Sequence, residues 1–132
     1  MNRAILREVL GEEFAVLEAA NGEEGLEYLE EHEEDISLVL LDIIMPVMDG
    51  FEVLRVMSEK NFLDNIPVIM ISSEESETYV KKAYEMGAMD YINRPFDAQV
   101  VYRRVFNTIK LYAKQRRLIA LVTDQIKSEL KK

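Results

Sequence analysis

Cysteine is absent from the 132 residues, so neither a disulfide framework nor a thiolate metal site can form. That absence is compatible with a reducing compartment. Tryptophan is missing too, and only three prolines and five glycines punctuate the chain. No apolar run approaches the ~20 residues that cross a bilayer, and no basic stretch leading into an apolar core opens the chain as a signal peptide would. The cytoplasm is the expected compartment, with no membrane partner. No glycine-rich phosphate loop follows any candidate strand, which argues against a flavin or dinucleotide binder.

What is present is an apolar content of 48%, enough for one compact domain with a real core. The net charge of −9 hides an asymmetry. Residues 1–96 hold 7 Lys and Arg against 22 Asp and Glu, whereas residues 97–132 hold 9 against 3. An acidic body repels phosphate, so direct nucleic-acid binding is not expected, and the basic tail reads as the solvated face of a long helix.

The apolar spacing predicts a helix over Met1–Leu10 ended by Gly11, a short strand over Phe14–Ala19, and a turn at Asn21-Gly22. A helix over Gly22–Glu31 and a buried strand over Ser37–Leu41 ending at Asp42 come next. Pro46 and Asp49-Gly50 mark a loop, with Asp49 as the cap of a helix running to about Lys60. Val68–Ile71, Ser76–Met86 and Asp90–Asn93 read as strand, helix and strand, and from Asp97 helix-forming residues continue to Lys132. Alternating strands and helices with unbroken apolar strands imply an α/β fold with a parallel sheet covered on both faces. The alternation opens on a helix that no strand feeds.

Asp42, Ser72 and Arg94 stand where three of these strands end, which is where open parallel sheets bind ligands. Each has a plainer reading: a cap or turn residue for the Asp and the Ser, a surface cation for the Arg. His32 sits in an acidic helix end and reads as solvated, and the seven methionines as core and loop filler.

The words around the three residues decide between these readings. Leu41-Asp42-Ile43-Ile44-Met45-Pro46-Val47-Met48-Asp49-Gly50 resembles the phosphorylation loop of response-regulator receiver domains, the CheY-like family. Pro67-Val68-Ile69-Met70-Ile71-Ser72-Ser73 and Gly87-Ala88-Met89-Asp90-Tyr91-Ile92-Asn93-Arg94-Pro95-Phe96 resemble that family's fourth and fifth strands. The resemblance implies a flavodoxin-like, doubly wound parallel sheet and a signalling module rather than an enzyme. It implies Asp42 as phosphoacceptor, Ser72 as the hydroxyl that binds the phosphoryl group, and Tyr91 as an aromatic switch. It also implies Mg²⁺ held by Asp42 and the backbone carbonyl of Ile44, and a histidine kinase or phosphotransfer protein as partner.

Two departures follow. Arg94 stands where the family has a lysine, keeping the charge but replacing a point cation with a planar fork. The first strand and its metal-binding acid pair have no counterpart in the chain. The site is therefore expected to bind Mg²⁺ weakly and to take phosphate at Asp42 poorly. A degenerate receiver acting as a phosphorylation-independent dimerisation or interaction domain is the alternative. The sheet should either borrow a strand from another chain or let Phe14–Ala19 shift to pair with Ser37–Leu41.

Residues 1–112 are expected to form the receiver, and 113–132 a helical extension. Val105, Tyr112, Ile119 and Ile126 recur every seven residues, with Val101, Thr108, Gln115 and Val122 between them. That spacing is a coiled-coil seam with polar interruptions. It suggests a homodimer through the last helix and an output module outside this chain. A helix folded back on its own domain is the competing reading. The tail is also similar to receivers that precede cyclic-dinucleotide or HD-type phosphohydrolase modules.

Overall fold

Local sequence explains most of the elements in the computed structural model, which describes residues 3–45, 47–73 and 77–130, and side chains over 4–45, 47–73 and 77–127. Helix α1 spans Arg3–Leu10 and α2 spans Gly22–His32, where Asn21 Oδ1 accepts the Glu24 N–H as N-cap. Strand β1 is Val39–Asp42, and α3 is Gly50–Glu59, capped by Asp49 through the Glu52 N–H at 2.9 Å. A 3₁₀ turn at Phe62–Asp64, not anticipated from the pattern, leads into β2, Val68–Ser72. Helix α4 is Glu77–Glu85, β3 is Asp90–Asn93, and α5 runs unbroken over Ala98–Leu130. The expected helix starts at Met1 and Ser76, and Pro46 in the loop, fall outside the described residues.

The three strands form one parallel sheet in the order β1-β2-β3, with Leu41 opposite Met70 and Met70 opposite Tyr91. Strand β2 is central and buried at every residue. Its alternation feeds two cores: Val68 and Met70 join α2, α3 and α4 through Leu26, Leu54, Met57 and Ala83. Ile69 and Ile71 join α1 and α5 through Leu6, Leu10, Val101 and Val105. The expected doubly wound arrangement is present, with helices on both faces of the sheet.

Phe14–Ala19 departs from expectation. It forms no strand, and it does not shift onto β1. Phe14 and Val16 are held in the α1–α5 core, Phe14 lies against Tyr102 with ring centres 6.4 Å apart, and Glu18 pairs with Arg7 of α1. Moving the segment to β1 would strip those contacts. Strand β1 is consequently less buried than expected: Val39 and Leu40 are half-buried, because no strand covers their outer side among the described residues.

Gly50 fixes how α3 meets β1. Its N–H donates to the Ile43 carbonyl at 2.8 Å, and a Cβ there would lie 2.3 Å from the Asp42 carbonyl oxygen and 2.8 Å from Ile43 Cα. Only backbone stands in the way, so no side chain can yield. Gly50→Ala is expected to lower stability by about 2 kcal/mol or more in urea titration. A loss under about 0.5 kcal/mol would show that the loop gives way at little cost.

The tail also corrects the expected seam. Val101 and Val105 are fully buried in the receiver's own core, so Val105 is not available to a second chain. Packing of the helix on the core continues to Ile109, Tyr112 and Ala113 are half-buried, and residues 114–127 are exposed at every position. The helix is about 50 Å long at 1.5 Å per residue, and roughly its last half projects clear of the body.

Candidate functional site

The carboxyl ends of the three strands meet at one edge of the sheet, which brings Asp42, Ser72 and Arg94 together as anticipated. Asp42 is the last residue of β1 and is 9% exposed. Its Oδ1 accepts the Ile44 N–H at 3.1 Å and its Oδ2 accepts Arg94 Nη2 at 2.8 Å. The second contact is a charge-assisted hydrogen bond across 52 residues of sequence, and it sets the electrostatics of the site. Ser72 closes β2 and is fully buried, and its carbonyl accepts the Arg94 N–H at 2.9 Å. That bond ties the end of β3 to the end of β2. A cis peptide joins Arg94 to Pro95.

Arg94 offers more than one donor. Nη2 is engaged by Asp42, whereas Nε is buried without a hydrogen-bond partner among the described residues. A buried orphan N–H is costly, and an incoming oxygen would satisfy it. An open cleft of about 440 Å³, lined by Ile5, Arg94, Pro95, Phe96 and Ala98, borders the guanidinium. Tyr91 is 7% exposed and packs into the α3–α4 side of the core, two residues after the turn of chain that ends at Met89. Beside it, burial and the neighbouring Asp90 carboxylate hold the Tyr84 phenol above its ordinary pKa.

Val47 in the loop after β1 has φ of 69°, a left-handed conformation that a β-branched residue adopts only under strain. The Ile44 side chain is 63% exposed. The Ile44 N–H contact with Asp42 and the direct Arg94–Asp42 pair were not anticipated, since a strand register must be known before a cation that follows β3 can be placed on an acid of β1.

The sequence profile of the response regulator receiver domain matches residues 1–106. The chain belongs to the response-regulator receiver family. It is 42% identical over 95 residues to the chemotaxis protein CheY of Halobacterium salinarum, covering 71% of this chain and 76% of that one. It is 34% identical over 115 residues to the sensor histidine kinase CheAY of Helicobacter pylori, covering 86% of this chain and only 14% of that far longer protein. The fold is similar to the CheY-like receiver domain from Methanospirillum hungatei, with a TM-score of 0.76, 24% identity, and coverage of 86% of this chain and 91% of that one.

Receiver domains generally bind Mg²⁺ in an acidic pocket. The described residues at this sheet edge do not fit that ion. Among the described residues no group of three or more His, Cys, Asp or Glu could hold a metal. Asp42 is the one carboxylate placed by the three strand ends, and both its oxygens already hold donors, Ile44 N–H and Arg94. Mg²⁺ needs near-octahedral oxygen coordination and parts with its waters reluctantly.

Proposed function

We propose that Asp42 receives a phosphoryl group from a histidine kinase or phosphotransfer protein, and that the long last helix passes the resulting change to a module beyond it. The observation that carries this reading is the meeting of a buried carboxylate, a buried hydroxyl residue and a guanidinium at the carboxyl edge of a parallel sheet. An Asp42 oxygen attacks phosphorus, the bond from phosphorus to the donor breaks, and the electron pair leaves with the donor, giving a mixed anhydride. Arg94 would turn from Oδ2 to the phosphoryl oxygens, offering Nη2 and the now unpartnered Nε as a two-pronged contact. Ser72 would hold the phosphoryl group from β2, and Tyr91 would follow its movement. Phosphoryl transfer asks chiefly for such positioning and charge neutralisation.

Receiver domains interact with histidine kinases or phosphotransfer proteins and are signalling modules rather than enzymes. We place the protein in the cytoplasm; among the described residues no helix is long and apolar enough to cross a membrane. The pairing surface in this reading is the C-terminal part of α5, Tyr112, Ile119 and Ile126 with Gln115 and Val122 between them. Residues 1–112 act as the receiver and 113–132 as the connecting extension, with no role for direct nucleic-acid binding.

A second reading is favoured by the Asp42–Arg94 pair: the acceptor is already neutralised by an arginine, so the chain acts as a phosphorylation-independent interaction domain. Intact mass after incubation with acetyl phosphate and Mg²⁺ separates the two. Expected is a substoichiometric gain of one phosphoryl group that disappears in Asp42→Ala. A phosphoryl group that persists in Asp42→Ala overturns the assignment of Asp42. No gain at any donor concentration favours the second reading, and a stoichiometric gain contradicts the weak-site expectation.

A further inference from the structure

From Leu111 onward the last helix carries more exposed apolar surface than one pairing seam can cover. Tyr112, Ile119 and Ile126 form one row at seven-residue spacing, and Gln115 and Val122 form a second beside it. Leu111 and Leu118 form a third row on the far side of Gln115 and Val122, 45% and 56% exposed. Leu121, at 63%, lies further round on that same side. Two rows make the seam of a two-stranded coil, whereas three of every seven positions is the stripe of a helix that meets two neighbours in a bundle. Pairing through Tyr112, Ile119 and Ile126 would therefore leave a leucine row uncovered along each helix.

Charge selects the occupant of that row. Residues 110–127 hold Lys110, Lys114, Arg116, Arg117 and Lys127 against a single acid, Asp124. Lys114 borders the leucine row directly, with Lys110 and Arg117 one step further round in a column they share with Asp124, while Arg116 borders the opposite flank of the stripe with Lys127 beyond it. Two further copies of this helix would set basic flank against basic flank. An acidic partner would set opposite charges there, as flanking residues do in coiled-coil partner choice.

We propose that the Leu111–Leu118 row is a docking surface for an acidic amphipathic helix of a partner protein, two such helices completing a four-helix bundle around paired α5 helices. The four-helix count rests on the pairing of α5; the docking row does not, and neither depends on phosphorylation of Asp42.

The probe is a fluorescein-labelled amphipathic peptide of about three heptads, leucine on its apolar stripe and glutamate on its flanks, with a lysine-flanked peptide as control. Anisotropy with the full chain is expected to show binding of the glutamate peptide only, weakened severalfold between low and high salt. Leu111→Gln combined with Leu118→Gln should weaken it by about tenfold or more, since both side chains are exposed and the receiver core is untouched. Light scattering on the free chain reads the pairing separately. Equal binding of both peptides, an unchanged affinity in the double variant, or a free chain that is already a tetramer and ignores the peptide each overturns the proposal. A monomeric free chain that binds the glutamate peptide upholds the docking row and overturns the four-helix count with the pairing.

Discussion

Arg94→Met is expected to destabilise the chain by about 2 to 3 kcal/mol in urea titration near neutral pH. Asp42 is 9% exposed and would lose the guanidinium that its Oδ2 accepts from at 2.8 Å. Removing one partner of a buried pair costs about 3 to 5 kcal/mol because the other charge stays behind desolvated. The guanidinium side of this pair is a quarter exposed, so water reaches the vacated space and the loss falls below that range. The asymmetry gives a sharper check. In the double variant Asp42→Leu with Arg94→Met, no charge is left in the interior, so part of the loss should return. A single-variant loss under about 0.5 kcal/mol would place the pair among surface ion pairs and remove the argument that Arg94 holds the acceptor neutral.

Ile119→Lys together with Ile126→Lys is expected to halve the mass by light scattering and weaken self-association by about a thousandfold or more. Each apolar side chain buried in a seam contributes roughly 1.5 to 3 kcal/mol, and a symmetric pair loses four of them, two from each protomer. The receiver itself should keep its melting temperature, because both residues are exposed and lie past Ala113, the last half-buried residue of the helix. Helicity should fall with the mass, since an isolated stretch of about seventeen residues is only marginally helical in water. An unchanged mass at high protein concentration would remove Ile119 and Ile126 from any pairing surface.

Much of the fold was legible because its signals are local. Asp49 before Gly50, Asn21 before Gly22, and Gly87 after α4 carry capping and stop chemistry that depends on neighbours within four residues. Gly87 has φ of +106°, the conformation that glycine adopts at a helix end without steric cost. The positions of Asp42, Ser72 and Arg94 at strand ends were legible too, since Asp42 and Ser72 follow directly on apolar runs and Arg94 stands between Tyr91-Ile92-Asn93 and Pro95.

The order of alternating helices and strands, the three polar residues at one sheet edge and the unbroken last helix were thus determined by the sequence itself, because helix caps, turns and periodicity act over a few residues. Tertiary structure alone decided three things. Phe14–Ala19 has the composition of a strand but forms none, because a strand exists only through hydrogen bonds to a neighbour, and Phe14 and Val16 are held in the core with α1 and α5 instead. Val105 keeps the seven-residue spacing of a seam yet faces the sheet, because periodicity names a face of a helix without saying what covers it. Arg94 and Asp42 became partners only when β2 set β1 and β3 in register on its two sides, bringing together charges that lie 52 residues apart in the chain.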